Sequence, residues 1–144
     1  PPPPPPPPHL FFHPHDAKPD SVASRGLGDV YKRQILMLQN EGYLVIIVTN
    51  QAGINKGILS NEQVDEINQH IIQLLKKQGI EISAVYVCPH KPEEQCKCRK
   101  PQPGLLLKAA KEHNIDLENS IIIGDTDKDT EAGLNAGLKK VIKI

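Results

Sequence analysis

The chain has 144 residues, enough for one domain with a buried core. Lys plus Arg balance Asp plus Glu, 17 against 17, so no net field recruits nucleic acid or an anionic membrane. Scarce aromatics, with no Trp and only two Phe, argue against a base-stacking platform, and neither an apolar run of transmembrane length nor a basic-then-apolar signal peptide is found at the start. These features lead us to expect a soluble, cytoplasmic, monomeric protein with no nucleic-acid or membrane partner.

Residues 1–34 read differently from the rest. Eight consecutive prolines form a polyproline II rod with no hydrogen bonds of its own. His9 to Ser24 mixes Pro, His, Asp and Ser around one apolar cluster, Leu10-Phe11-Phe12. The string from Ser24 to Gln34 (SRGLGDVYKRQ) resembles translated adaptor sequence at the ends of truncated reading frames. Residues 1–34 are therefore expected to be disordered and foreign to the fold, and 35–144 to carry the domain.

From Ile35 the pattern is regular. Ile35, Leu36 and Leu38 end a helix that stops at Gly42, and Tyr43–Val48 (YLVIIV) is a strand buried on both faces. Ser60 and Gln63 form a capping box ahead of Val64, Ile67, Ile71, Leu74 and Leu75 at helical spacing, ended by Gly79. Ala84–Val87 is a second strand, Pro103–His113 a helix, Ser120–Gly124 a third strand, Asp129–Ala136 a helix and Lys140–Ile144 a last strand. Alternating strands and helices specify an α/β fold, a Rossmann-like three-layer parallel sheet.

All three cysteines fall within the stretch CPHKPEEQCKC, which also holds His90. Cys88, Cys96, Cys98 and His90 are the donor set of a closed tetrahedral zinc site, and three thiols cannot pair off as disulfides. The plainer alternative is three unrelated thiols and a surface histidine, which the tight clustering disfavours. Arg99 and Lys100 come directly after. The first strand runs into Thr49-Asn50-Gln51-Ala52, and the third into Gly124-Asp125-Thr126-Asp127-Lys128-Asp129. Carboxylates at a strand end suit Mg²⁺, and an anion-binding turn with a cation pair beside them specifies phosphate chemistry. Singly, each has a structural explanation: Thr-Asn as a turn, Asp127 as a helix cap, Arg99-Lys100 as a solvated pair. Their order along alternating strands joins them.

VTNQAGI (48–54), CPHKPEEQCKCRKPQPG (88–104) and IIIGDTDKDTEAGLNAG (121–137) resemble motifs II, III and IV of the haloacid dehalogenase (HAD) superfamily of phosphatases. The zinc loop is similar to that of subfamily IIIA, the branch of the heptose 1,7-bisphosphate phosphatases and histidinol-phosphatases, and Pro103-Gly-Leu-Leu106 looks more like the heptose enzymes. The resemblance implies Mg²⁺-dependent hydrolysis of a small sugar phosphate, with zinc as a structural ion. It implies an aspartate nucleophile forming an aspartyl-phosphate and a second aspartate two residues on as general acid and base. By the same resemblance Thr49 and Asn50 hold the phosphate, Gln51 and Ala52 line the site, and Arg99 and Lys100 bind substrate. Asp125 ligates Mg²⁺ and Asp129 supports that site. Thr126 stands where the heptose enzymes commonly carry lysine. Histidinol phosphate is the alternative substrate. From another class comes a non-catalytic, zinc-stabilised phosphate-binding module.

Motif I is the departure. No apolar strand ends in D-x-D; Asp16, Asp20 and Asp29 lie in polar or Pro-rich context, and the nearest imitation puts His13 and His15 where aspartates belong. Leu10–Phe12 is read as a chance apolar cluster, and the chain as truncated before motif I, inactive, and lacking the central first strand. Such a chain is expected to fold poorly, unless Leu10–Phe12 or a neighbouring strand fills the gap.

Overall fold

The computed structural model describes residues 2–12, 29–50, 57–90, 92–124 and 126–143. Its strands are β1 (His9–Phe12), β2 (Leu44–Asn50), β3 (Ile82–Cys88), β4 (Ile121–Gly124) and β5 (Lys140–Lys143). Between them run α1 (Asp29–Asn40), α2 (Asn61–Lys77), α3 (Gly104–His113) and α4 (Asp127–Ala136). The strands form one parallel sheet in the order β3-β2-β1-β4-β5. The α/β class and the parallel sheet are as the sequence predicts.

One expectation is corrected. The central strand is not missing: Leu10, Phe11 and Phe12 pair with Val45, Ile46 and Ile47 on one side and Ile121, Ile122 and Ile123 on the other. The apolar cluster is thus the middle of the sheet, the outcome the sequence left open for Leu10–Phe12. The physical reason is the unmet hydrogen bonding of β2 and β4, whose facing backbone groups each cost about 1–3 kcal/mol if buried unpaired. Three apolar side chains suffice to bury a short strand there. The start of β1 is tied down as well, because Leu44 N donates to Pro8 O (3.0 Å) and His9 N to Ser120 Oγ (3.2 Å). The helix ending at Gly42 is α1, which begins at Asp29 and so also reaches into the segment set aside by composition.

Side chains alternate across β1 and so divide the core. Leu10 and Phe12 pack with Tyr31 and Ile35 of α1 and Ile71 and Leu75 of α2. Phe11 faces the opposite layer, with Leu105, Leu106 and Ala109 of α3 and Ala132 of α4. Tyr31 edges onto the Phe12 ring at 5.9 Å between centroids, and its hydroxyl donates to Ile123 O at 3.1 Å. The Ser60–Gln63 capping box forms with both of its bonds, 2.8 and 3.1 Å. At α4 the cap is Thr126, so Asp127 is the first helical residue and not the cap.

His9 is 3 % exposed and its Nδ1 has no hydrogen-bond partner among the described residues. Burial lowers its pKa below the ordinary 6.5, with a nearby His113 adding to the effect and a Pro7 backbone contact opposing it. The unfolded chain therefore binds a proton that the folded chain refuses. His9's contribution to stability is present above about pH 6.5 and lost as pH falls below it. Urea unfolding at pH 7.5 and 5.5 should show a drop that His9→Leu reduces; an equal drop in the variant would assign it elsewhere.

Candidate functional site at the carboxyl edge of the sheet

Successive strands lead outward from β1 to β2 and β3, then return to its other side as β4 and β5. The order reverses at β1, and a reversal of this kind opens a crevice at the carboxyl ends of the strands. Thr49 and Asn50 end β2, Cys88 ends β3 and Gly124 ends β4, so the polar motifs converge on that edge.

Cys88, His90, Cys96 and Cys98 come together, with one donor atom from each lying within 4.8 Å of every other. Sγ of Cys96 is 3.6 Å from that of Cys88 and 3.7 Å from that of Cys98, while His90 Nδ1 lies 3.4 Å from Cys88 and 3.1 Å from Cys98. A zinc tetrahedron has edges of about 3.8 Å between sulfurs and about 3.6 Å between sulfur and nitrogen. The Cys88–Cys98 edge is tighter, at 2.8 Å. Three thiols and an imidazole around one point fit zinc in donor type and size. Burial pushes the Cys88 and Cys98 thiols up. Burial acts the same way on Cys96, but the Arg99 amide and the neighbouring thiols outweigh it and hold Cys96 at about 7.

The loop fixes both the cation pair and the start of α3. Arg99 N donates to Cys96 Sγ (3.3 Å) and Arg99 Nη1 to His90 O (3.4 Å). Gly104 opens α3 with its amide on Lys97 O (2.9 Å), and a Cβ there would sit 2.3 Å from that oxygen. Only glycine lets the helix start so close to the loop.

Lys100 is 2 % exposed. Its amide donates to Asn50 Oδ1 (3.2 Å), and its Nζ to Asp129 Oδ1 (2.5 Å) and Val48 O (3.4 Å). Asp129, 1 % exposed, also accepts from Thr126 Oγ1 at 3.0 Å. A Cβ on Gly124 would lie 2.3 Å from Asp129 Cβ, so Gly124 makes room for this carboxylate. The ion pair therefore joins the loop after β3 to the first turn of α4. Asn50 is 4 % exposed, and its Nδ2 has no partner among the described residues. A buried amide donor left unpaired costs about 1–3 kcal/mol, which an anion at this edge would recover.

Of the residues singled out by sequence, Thr49, Asn50, Arg99, Lys100 and Asp129 meet here beside the four zinc candidates. Gln51, Ala52, Asp125, His13 and His15 lie outside the described residues. Sequence reasoning missed the Lys100–Asp129 pair and the role of Gly124. The T-x-x-D spacing from Thr126 to Asp129 signals the cap, while the pairing with Lys100 is a contact across the fold that no local pattern carries.

Comparison with known proteins places these features. The profile of the HAD-hydrolase-like family matches residues 97–142. The chain is 41% identical over 123 residues to the D-glycero-beta-D-manno-heptose-1,7-bisphosphate 7-phosphatase of Helicobacter pylori strain 26695, covering 85% of this chain and 69% of that protein. It spans 57–69% of the length of this and the next four curated relatives. Among solved structures, a HAD-like phosphatase of Mesorhizobium loti superposes with a TM-score of 0.83 at 30% identity, over 96% of this chain and 72% of that one. The D,D-heptose 1,7-bisphosphate phosphatase of B. bronchiseptica, complexed with magnesium and phosphate, gives 0.78 at 25% identity, over 93% and 79%.

Proposed function

The chain belongs to the haloacid dehalogenase-like hydrolases, and from that premise we propose that its carboxyl-edge site binds the phosphate of a small phosphorylated sugar, as in the heptose 1,7-bisphosphate phosphatases. The observation that carries this reading is the buried Asn50 Nδ2, which has no partner among the described residues and is set beside the Lys100 that Asn50 itself braces. Thr49 and Asn50 receive the phosphate oxygens, Gln51 and Ala52 line the turn, and Arg99 and Lys100 hold the substrate from the opposite wall. Asp125 is the Mg²⁺ ligand and Asp129 its support. Asp125 would hold Mg²⁺ when the ion binds, and the chemistry it would supply there is offset of charge on the phosphoryl oxygens. Zinc on Cys88, His90, Cys96 and Cys98 braces the cations and takes no part in the chemistry. Three free thiols suit a reducing, cytoplasmic setting.

Turnover requires an attacking carboxylate, and the sequence after β1 offers His13 and His15 in its place. This chain therefore binds phosphate and hydrolyses negligibly. Titrating inorganic phosphate with Mg²⁺ into zinc-loaded protein should give saturable one-to-one binding, weakened roughly ten- to a hundred-fold by Asn50→Ala, which removes a hydrogen bond to a charged group. Unchanged affinity in that variant would sink the reading.

A further inference from the structure

We propose that Cys88 and Cys98 form a peroxide-oxidisable dithiol, a reversible modification site inside the zinc loop whose disulfide form cannot hold the metal. The dithiol stands on the geometry of the loop, and only its effect on ligand affinity rests on the phosphate reading.

The three sulfur–sulfur edges of the cluster are unequal. Cys88–Cys96 and Cys96–Cys98, at 3.6 and 3.7 Å, lie close to the edge of about 3.8 Å that zinc imposes. Cys88–Cys98, at 2.8 Å, is only about 0.8 Å longer than a sulfur–sulfur bond of about 2.05 Å. The chain favours the same pair. Cys96 and Cys98 are separated by one residue, which forces a bond between them out of the usual disulfide geometry. Cys96 Sγ is also held by the amide of Arg99 at 3.3 Å. Cys88 and Cys98 are ten positions apart, a loop long enough to close without that strain.

Exposure sets the order of events. Cys88 is 0 % exposed at the end of β3, whereas Cys98 is half-buried and meets solvent first. Its sulfur attacks one oxygen of a peroxide, the O–O bond breaks, and the departing hydroxide takes the thiol proton as water. Cys88 Sγ then attacks the sulfur of this sulfenic acid. The S–O bond breaks, and the second hydroxide leaves as water with the Cys88 proton. Two thiols lose two electrons in all, and one hydrogen peroxide is reduced to two waters.

The disulfide leaves Cys96 and His90 as the remaining donors of the four, too few for a closed zinc site. These two residues also carry the contacts of Arg99, from its amide to Cys96 Sγ and from its Nη1 to His90 O. Without zinc to tie them together, Arg99 and the adjoining Lys100 lose their frame. In a reducing setting the dithiol is the resting form, and the disulfide is a transient one.

The test treats the zinc-loaded full chain with hydrogen peroxide, then with dithiothreitol and fresh zinc. Released zinc is read with a chromogenic chelator, and the pairing by mass spectrometry of alkylated peptides. The expected result is one zinc lost per chain, a single disulfide joining Cys88 to Cys98, a free Cys96, and full recovery on reduction. Inorganic phosphate affinity, titrated on the same samples, should fall with the zinc and return with it. Cys96→Ser and Cys98→Ser each remove one zinc ligand and so control for one another. Peroxide should join Cys88 to Cys98 in the first and form no disulfide within the second. A disulfide that includes Cys96, oxidation that dithiothreitol does not reverse, or zinc retained by treated wild type would overturn the dithiol. Untreated protein that binds no phosphate would instead overturn the phosphate reading and leave the dithiol standing.

Discussion

Phe11→Ala is expected to destabilise the fold by about 3–5 kcal/mol, the usual cost of emptying a buried aromatic site. Phe11 is 0 % exposed and stands in the middle strand, between Ile46 and Ile122, with α3 and α4 above it. The loss is large because neither neighbouring strand can move in: each is hydrogen-bonded to β1, so the cavity persists. Against a total stability of roughly 5–15 kcal/mol such a loss removes much of the folded population. Chemical denaturation followed by circular dichroism would measure it. Leu134→Ala is the control, since Leu134 is 57 % exposed and its truncation should fall within about 0.5 kcal/mol of wild type. A Phe11→Ala cost below about 1 kcal/mol would mean that these residues do not form the centre of the sheet, because a surface strand is the only setting with so small a penalty.

Cys88→Ser should cut zinc affinity on the order of a hundred-fold or more, since it removes a direct ligand where loss of an outer partner already costs about 10–100-fold. Cys88 is the fully buried member of the cluster and the last residue of β3, so it fixes the loop to the sheet. Without it, the contacts of Arg99 with Cys96 and His90 lose their frame, and Lys100 loses the loop that seats it on Asn50. Phosphate affinity should fall together with zinc content, measured by metal analysis and titration on the same sample. A variant that keeps one zinc and full phosphate affinity would refute the bracing role. Zinc binding should also release protons at neutral pH, because burial holds Cys88 and Cys98 in the thiol form until a cation displaces the proton.

Much of this was legible in the sequence. YLVIIV and SIIIG are short, β-branched apolar runs of the kind buried parallel strands show, and the capping box at Ser60 announced α2. The zinc cluster was readable because its four donors are close in sequence, so local spacing nearly dictates their meeting. What stayed hidden was non-local. A four-residue strand inside a proline- and histidine-rich segment carries too weak a pattern to be recognised alone; β1 becomes a strand because β2 and β4 leave a slot for it. The Lys100–Asp129 pair joins residues 29 positions apart, beyond the reach of any local pattern.

One measurement bears most directly on the central claim, that this chain holds a phosphate site without the group that would attack it. Inorganic phosphate and a sugar phosphate are each added to the zinc- and Mg²⁺-loaded protein, and binding and phosphate release are followed in one sample by ³¹P NMR. The expected result is saturable binding of both ligands, weakened roughly ten- to a hundred-fold in Asn50→Ala, with no release above the buffer rate. Mg²⁺-dependent release by pure protein, or the absence of any saturable binding, would contradict it.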